Sequence, residues 1–202
     1  MKTIYTAFSI DLLHEGHINL LKKASNYGQV VVGLLTDKAI ASYKRLPHFN
    51  FQKRKYILEN LKYVSKVIPQ ETLDYSKNLK KIKPDYVIHG DDWKHGIQKK
   101  TRDNVIKTLK KWGGRLIEVK YSKNISEEKL ERQNLHAGTT PEIRKSKLKR
   151  LINSKKIVRV LESHSPLSGL IIEKLNIPSN DEFIEIDCMW SSSLTDSTLR
   201  GK

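Results

Sequence analysis

Residues 3–20 read Thr3-Ile4-Tyr5-Thr6-Ala7-Phe8-Ser9-Ile10-Asp11-Leu12-Leu13-His14-Glu15-Gly16-His17-Ile18-Asn19-Leu20, and the change of period inside this stretch decides the fold. Thr3 to Phe8 has the short apolar pattern of a strand. Ile18 to Tyr27 then places Leu20, Leu21 and Ala24 on one helical face. Gly28 follows the helix as a residue suited to a left-handed C-cap. Val30 to Leu35 is a continuous apolar run, the pattern of a strand covered on both faces.

The same alternation continues down the chain. Helices are expected over Asp37 to Tyr43, Phe51 to Val64, Tyr75 to Ile82 and Thr101 to Trp112. Strands are expected at Val67-Ile68, Tyr86 to His89 and Arg115 to Val119. Strands alternating with helices predict the α/β class, a doubly wound parallel sheet with helices on both faces. Ligands of such sheets lie beyond the carboxyl ends of the strands, at the switch in strand order. The loop after the first strand, the loop after Leu35 and the Gly90-Asp91-Asp92-Trp93 loop converge there.

This unit occupies residues 1–135. Beyond it the pattern is polar and helical, and residues 136–156 are expected to be a linker containing a helix, strongly basic from Lys145 to Arg150. Residues 157–202 form a third segment, with a strand over Ile157 to Leu161, a helix over Leu167 to Leu175 and a strand over Phe183 to Ile186.

Composition narrows the function. The 202 residues are 38% hydrophobic and 30% charged, with no apolar run of membrane-spanning length and no signal-peptide pattern at Met1, so a cytoplasmic protein is expected. Cys188 is the single cysteine, which leaves out an intrachain disulfide and a cysteine-based zinc site. A net charge of +16 attracts polyanions: nucleic acid, acidic lipid or a small substrate carrying several phosphates. The lysines are spread along helices and not gathered into an arm with interleaved aromatics, so nucleic acid ranks last.

His14-Glu15-Gly16-His17 carries the chemistry. It follows a strand and opens a helix, where unpaired N–H groups and a partial positive charge suit phosphate, and Gly16 lets the backbone come close. Two imidazoles three residues apart can donate to a phosphoryl group as charge develops during transfer. Zinc is the other chemistry open to such a pair, but no third ligand is evident nearby.

Tyr5 to His17, with Asp11 and the HxGH core, resembles the nucleotidyltransferases that include glycerol-3-phosphate cytidylyltransferase. The resemblance continues through Leu34 to Asp37, Lys44, Arg54 and His89 to Trp93. It implies CTP as nucleotide, magnesium as cofactor, a small phosphonate or phosphate acceptor, and leaves room for a homodimer. His14, His17 and Lys44 would then be catalytic. Phe8, Ser9, Gly16, Asp37, Gly90, Asp91, Asp92, Trp93, Ile125 and Ser126 would bind the nucleotide; Asp11 and Arg54 would bind the acceptor. Residue chemistry alone allows other assignments: Lys44 as a solvated loop residue, Arg54 as a surface cation, and Asp91-Asp92 as turn formers.

Ile40 to Pro47 and Pro69 to Tyr75 look similar to cytidylyltransferase domains fused ahead of phosphoenolpyruvate mutase. Thr139 to Arg144 resembles their connector, Arg159 to Gly169 the opening of the mutase barrel, and Trp190 to Ser197 its substrate loop. The resemblance implies a partial (β/α) barrel fragment and a phosphonate acceptor, with mutase activity not expected from this chain alone. One segment departs from the family: Asn124-Ile125-Ser126-Glu127-Glu128 stands where a Gly-Ile-Ser-Ser/Thr-Thr phrase receives the outer phosphates. Glu127 and Glu128 in a first helical turn favour the helix dipole and repel a triphosphate, so a catalytically decayed nucleotide-binding domain of a mutase fusion is one alternative, and glycerol-3-phosphate cytidylyltransferase-like activity is the other.

Overall fold

A computed structural model of the chain describes residues 1–10, 12–94, 98–120, 140–179, 182–191 and 197–198. The first elements are β1 (Thr3–Phe8), α1 (Glu15–Ser25), β2 (Gln29–Leu35), α2 (Asp37–Ala41), α3 (Phe51–Glu59) and β3 (Lys66–Gln70). They are followed by α4 (Ser76–Ile82), β4 (Tyr86–Gly90), α5 (Gln98–Leu109) and β5 (Arg115–Val119), with short 3₁₀ turns at Asp91–Lys94 and Lys110–Trp112. The five strands are all parallel in the order β3-β2-β1-β4-β5. This is the expected doubly wound α/β sheet, and its order reverses between β1 and β4, where a crevice opens at the carboxyl ends.

Strand alternation builds one core on each face. Ile4, Val30, Val32, Leu34 and Ile88 pack with Leu21 and Ala24 of α1 and Leu58 of α3. Tyr5, Ala7, Leu35 and Val87 face the other way, against Ala39 and Ile40 of α2, Leu79 of α4, and Val105 and Leu109 of α5. Full burial of each such aliphatic side chain contributes ~1.5–3 kcal/mol.

Several boundaries differ from the sequence expectation. α1 begins at Glu15 and not at Ile18, because the His14 side chain supplies the cap. The helix ends at Asn26 in right-handed geometry, so Gly28 is not its left-handed cap. A Cβ on Gly28 would lie 2.1 Å from the Lys2 carbonyl oxygen, the atom that accepts from Gln29 N–H as the chain enters β2. Close approach of two strands, not helix termination, requires glycine there. α3 stops at Glu59, and turns carry the chain to β3.

The chain divides into two units, Met1–Arg150 and Leu151–Lys202, with the break inside α6 (Pro141–Ser154). The second unit has a parallel pair, β6 (Val160–Glu162) with β9 (Cys188–Trp190), and between them α7 (Pro166–Lys174) and an antiparallel hairpin of β7 (Asn176–Ser179) and β8 (Glu182–Glu185). β7 and β9 were not expected from the sequence, and β6 starts three residues later than Ile157. Ser165 caps α7 in a reciprocal pairing with Ser168. Asp187 accepts from Lys155 and from the Arg159 amide, tying the entry of β6 to the entry of β9.

A tight spot in the first unit makes a test of the packing. Gly33 of β2 lies under Tyr5, and a Cβ there would come within 1.9 Å of the Tyr5 Oη. Tyr5 is fully buried and donates to Gln70 Oε1 at 2.5 Å, with Asn78 Nδ2 at 2.8 Å from the same oxygen. Burial pushes the Tyr5 phenol well up, which keeps it a donor. Gly33→Ala is predicted to destabilise the chain by about 3 kcal/mol, because overpacking and the loss of the Tyr5–Gln70 bond act together. Urea denaturation followed by circular dichroism measures this; an unchanged midpoint would contradict the packing described.

Candidate active site

β1 ends at Phe8, and the chain turns through Ser9 and Ile10 toward α1. Ile10 has φ +29° although it is β-branched and only 2% exposed, a conformation that costs ~1–3 kcal/mol and is held only where surroundings impose it. Here they do. Ile10 is packed in the α1-side core, and the Ser9 carbonyl receives Arg54 Nη1 at 2.5 Å.

His14 is the N-cap of α1: its Nδ1 accepts from Gly16 N–H at 3.1 Å. A neutral imidazole that accepts at Nδ1 carries its proton on Nε2, so the cap assigns the tautomer and makes Nε2 a donor. His17 stands one turn in, its ring centroid 3.9 Å from that of His14 and 5.4 Å from that of Phe8. The two imidazoles therefore form one cluster at a helix N-terminus, where the dipole favours an anion. Gly16 has a second use that sequence did not show. A Cβ at this position would sit 2.9 Å from His14 Cε1 and 3.0 Å from its Nδ1, so glycine makes room for the capping ring.

Lys44 joins this end of the sheet. Its Nζ donates to Ser9 Oγ at 3.2 Å, and its amide donates to the Ile40 carbonyl. Asp37, the first residue of α2, does not point at open space: its carboxylate accepts from Arg54 Nη2 at 2.7 Å and from Arg150 Nη2 at 2.9 Å.

Arg54 is placed differently from the expectation. It is 1% exposed, and it donates to the carbonyls of Phe49, Ser9 and Leu35 as well as to Asp37. An acceptor phosphonate could reach it only by displacing these bonds, so the structure uses Arg54 to frame the site. The sequence did contain a signal. α3 has Lys53 and Arg54 but no acid in its first turn, against the preference of the dipole, and a cation in that position needs a local reason.

The loop after β4 brings Gly90, Asp91 and Trp93 to the same end of the sheet. Trp93 is 1% exposed, stacked on His89 with centroids 3.8 Å apart, and donates Nε1–H to Glu118 Oε1 at 2.9 Å. Its ring thus anchors the loop in the core. Arg102 grips Glu118 with Nε and Nη2 at 2.8 and 3.0 Å, a pair the sequence reading missed because α5 and β5 give no local hint of it. Asp11, Ile125, Ser126, Glu127 and Glu128 lie outside the described residues, as does the side chain of Asp92.

A parallel doubly wound sheet with a capped HxGH pair, a lysine and a buried arginine frame at the carboxyl ends of β1 and β2 defines the nucleotidyltransferase class. Residues 9–132 match the family described as Cytidylyltransferase-like, and the chain belongs to that family. It is 36% identical over 96 residues to glycerol-3-phosphate cytidylyltransferase of Bacillus spizizenii, covering 46% of this chain and 74% of that protein. It is 35% identical over 95 residues to ethanolamine-phosphate cytidylyltransferase of Arabidopsis thaliana, covering 44% of this chain and 23% of that protein. Among solved structures, the lipopolysaccharide core biosynthesis protein of Thermoplasma volcanium superposes with a TM-score of 0.51 and 26% identity, over 62% of this chain and 99% of that one. Among the described residues no helix is long and apolar enough to cross a membrane.

Two predictions follow from this geometry. Ala at position 16 would force the His14 ring off its cap while raising local helix propensity by ~1 kcal/mol. Gly16→Ala is therefore predicted to lower nucleotidyl transfer at least tenfold with the melting temperature held within about 2 °C. Steady-state rates and thermal unfolding of the same preparation measure both. Separately, Arg102's hydrogen bonds foremost, with Trp93's N–H, hold the Glu118 carboxyl at about 2, against burial, from an ordinary value near 4.5. A depressed carboxylate contributes stability that is present above about 4.5 and lost as pH falls toward about 2. The melting temperature is predicted to drop through that window, and Glu118→Gln to flatten the drop. A variant with the wild-type acid slope would remove Glu118 from the account.

Proposed function

We propose that the chain transfers CMP from CTP to a small acceptor bearing a phosphate or phosphonate oxyanion. The observation that carries this reading is the His14–His17 pair, ring centroids 3.9 Å apart, on the capped N-terminus of α1, with the Nε2 donor of His14 assigned by the cap. An acceptor oxygen, already ionised near neutral pH, attacks the α-phosphorus in line. The new O–P bond forms as the bond to the bridging oxygen breaks, and pyrophosphate leaves. Little general-base help is needed, so the residues act by position and charge.

In this reading His14 and His17 donate to the α-phosphoryl oxygens as charge builds, and the Lys44 ammonium neutralises phosphate beside Ser9. The N–H groups of the first turn of α1 add their share of the dipole. The Gly90-Asp91-Asp92-Trp93 loop, at the same end of the sheet, would meet the cytidine. Among the described residues no three His, Cys, Asp or Glu side chains cluster to hold a metal ion. Magnesium, the cofactor that the family resemblance implies, would be held by the triphosphate and would offset its charge. The +16 charge raises the encounter rate with so anionic a nucleotide.

For the acceptor we propose a phosphonate, such as 2-hydroxyethylphosphonate or 2-aminoethylphosphonate. Its support is the likeness of Thr139 to Arg144, Arg159 to Gly169 and Trp190 to Ser197 to the connector, barrel opening and substrate loop of a mutase fusion, together with the parallel β6–β9 pair. Glycerol 3-phosphate is the second acceptor, favoured by the match to glycerol-3-phosphate cytidylyltransferase. A nucleotide-binding domain without turnover is the reading that Glu127 and Glu128 favour.

Calorimetric titration with CTP, with ATP as control and magnesium present, is predicted to show selective CTP binding. A pyrophosphate-release assay over the acceptors named is then expected to give turnover that His17→Ala lowers at least a thousandfold, ~4 kcal/mol of transition-state stabilisation. Turnover that survives His17→Ala would remove the histidine mechanism, and a far better rate with glycerol 3-phosphate would remove the phosphonate. Absence of CTP binding would leave the non-catalytic reading.

A further inference from the structure

α6 lies beyond the residues that match the family, yet one of its side chains reaches the frame of the site. Arg150 donates to Asp37 Oδ2 from Nε at 3.2 Å and from Nη2 at 2.9 Å. It also donates to the His48 carbonyl from Nη1 at 3.0 Å and to the Phe49 carbonyl from Nη2 at 3.3 Å. The side chain is 15% exposed and Asp37 19%, so these bonds are shielded from much of the solvent that weakens a surface pair.

The partners of Arg150 connect directly to the reacting groups. Asp37 Oδ1 holds Arg54, and Arg54 holds the Ser9 carbonyl under the strained Ile10. The Ser9 hydroxyl in turn receives Lys44. His48 and Phe49 close the loop that carries Lys44, residues 42–50, and Phe49's carbonyl is shared by both arginines. A chain of hydrogen bonds therefore runs Arg150–Asp37–Arg54–Ser9–Lys44. One carboxylate between two guanidinium groups also leaves a net positive charge at the base of this loop, which suits an anionic substrate.

We propose that Arg150 is a positioning residue: by clamping Asp37 and the carbonyls of His48 and Phe49, it fixes the 42–50 loop and so the placement of Lys44. The helix after the family domain is then a working part of the site and not a passive connector. The effect on turnover rests on the CMP-transfer reading; the clamp itself does not.

Hydrogen exchange of the full chain, read by mass spectrometry, tests the clamp in Arg150→Ala and in the milder Arg150→Gln. Lys149→Ala, a neighbouring exposed cation, controls for lost charge. The amides of residues 42–50 are expected to exchange at least tenfold faster in both Arg150 variants, with β1 and β2 unchanged and Lys149→Ala like the parent. In the transfer assay kcat is expected to fall about tenfold with the KM for CTP within twofold. Arg150→Lys, which lacks the planar fork, should recover only part, and added guanidinium should rescue Arg150→Ala. Unchanged exchange at 42–50 would overturn the proposal whatever the activity, and so would faster exchange with kcat unaltered. If the parent chain transfers no CMP, that result removes the functional reading, and exchange alone decides the clamp.

Discussion

Arg54 is a cation with almost no exposure to water, and the geometry of the site depends on how it is kept there. Its guanidinium gathers the end of β1 through the Ser9 carbonyl, the end of β2 through Leu35, and the approach to α3 through Phe49. Asp37 supplies the countercharge that burial demands. Breaking such a pair by removing one partner typically costs ~3–5 kcal/mol, because the other is left uncompensated. Three separate loops thus share a single point of attachment. A parallel sheet sets their approximate positions, and this contact sets their spacing.

The histidine pair follows from that arrangement at one remove. Ile10 is held at positive φ by packing and by the Arg54 bond to its neighbour, and the turn it makes delivers the chain to His14 as an N-cap. The cap satisfies a helix donor, selects the imidazole tautomer and leaves Nε2 as the donor, all with one side chain. Glycine at position 16 is required because the ring folds back over its Cα. Phe8 meets His17 edge-on from the last residue of β1, so strand, turn and helix each orient one part of the pair.

The Gly90–Trp93 loop shows a different division of labour. Trp93 is the largest of the fully buried side chains, and its N–H, Glu118 and Arg102 form a short polar chain that pins the loop to β5 and α5. The indole of this loop thereby serves the fold.

The sequence by itself determined the class of fold and the positions of the first five strands along the chain, and it singled out the HxGH segment as the candidate site. These follow from local information: period, apolar runs and residue types at a strand-to-helix junction. It did not determine the start of α1 or the use of Gly28, since each depends on an atom from elsewhere, the His14 ring and the Lys2 carbonyl. It placed Arg54 against a ligand, where tertiary structure places it against three carbonyls and Asp37. It gave no sign of the Arg102–Glu118 pair or of Arg150 reaching Asp37 across 113 positions of sequence. Hydrogen-bond partners of long, flexible cations are chosen by which acceptors the folded backbone brings within about 3 Å. Only the assembled sheet and its loops decide that.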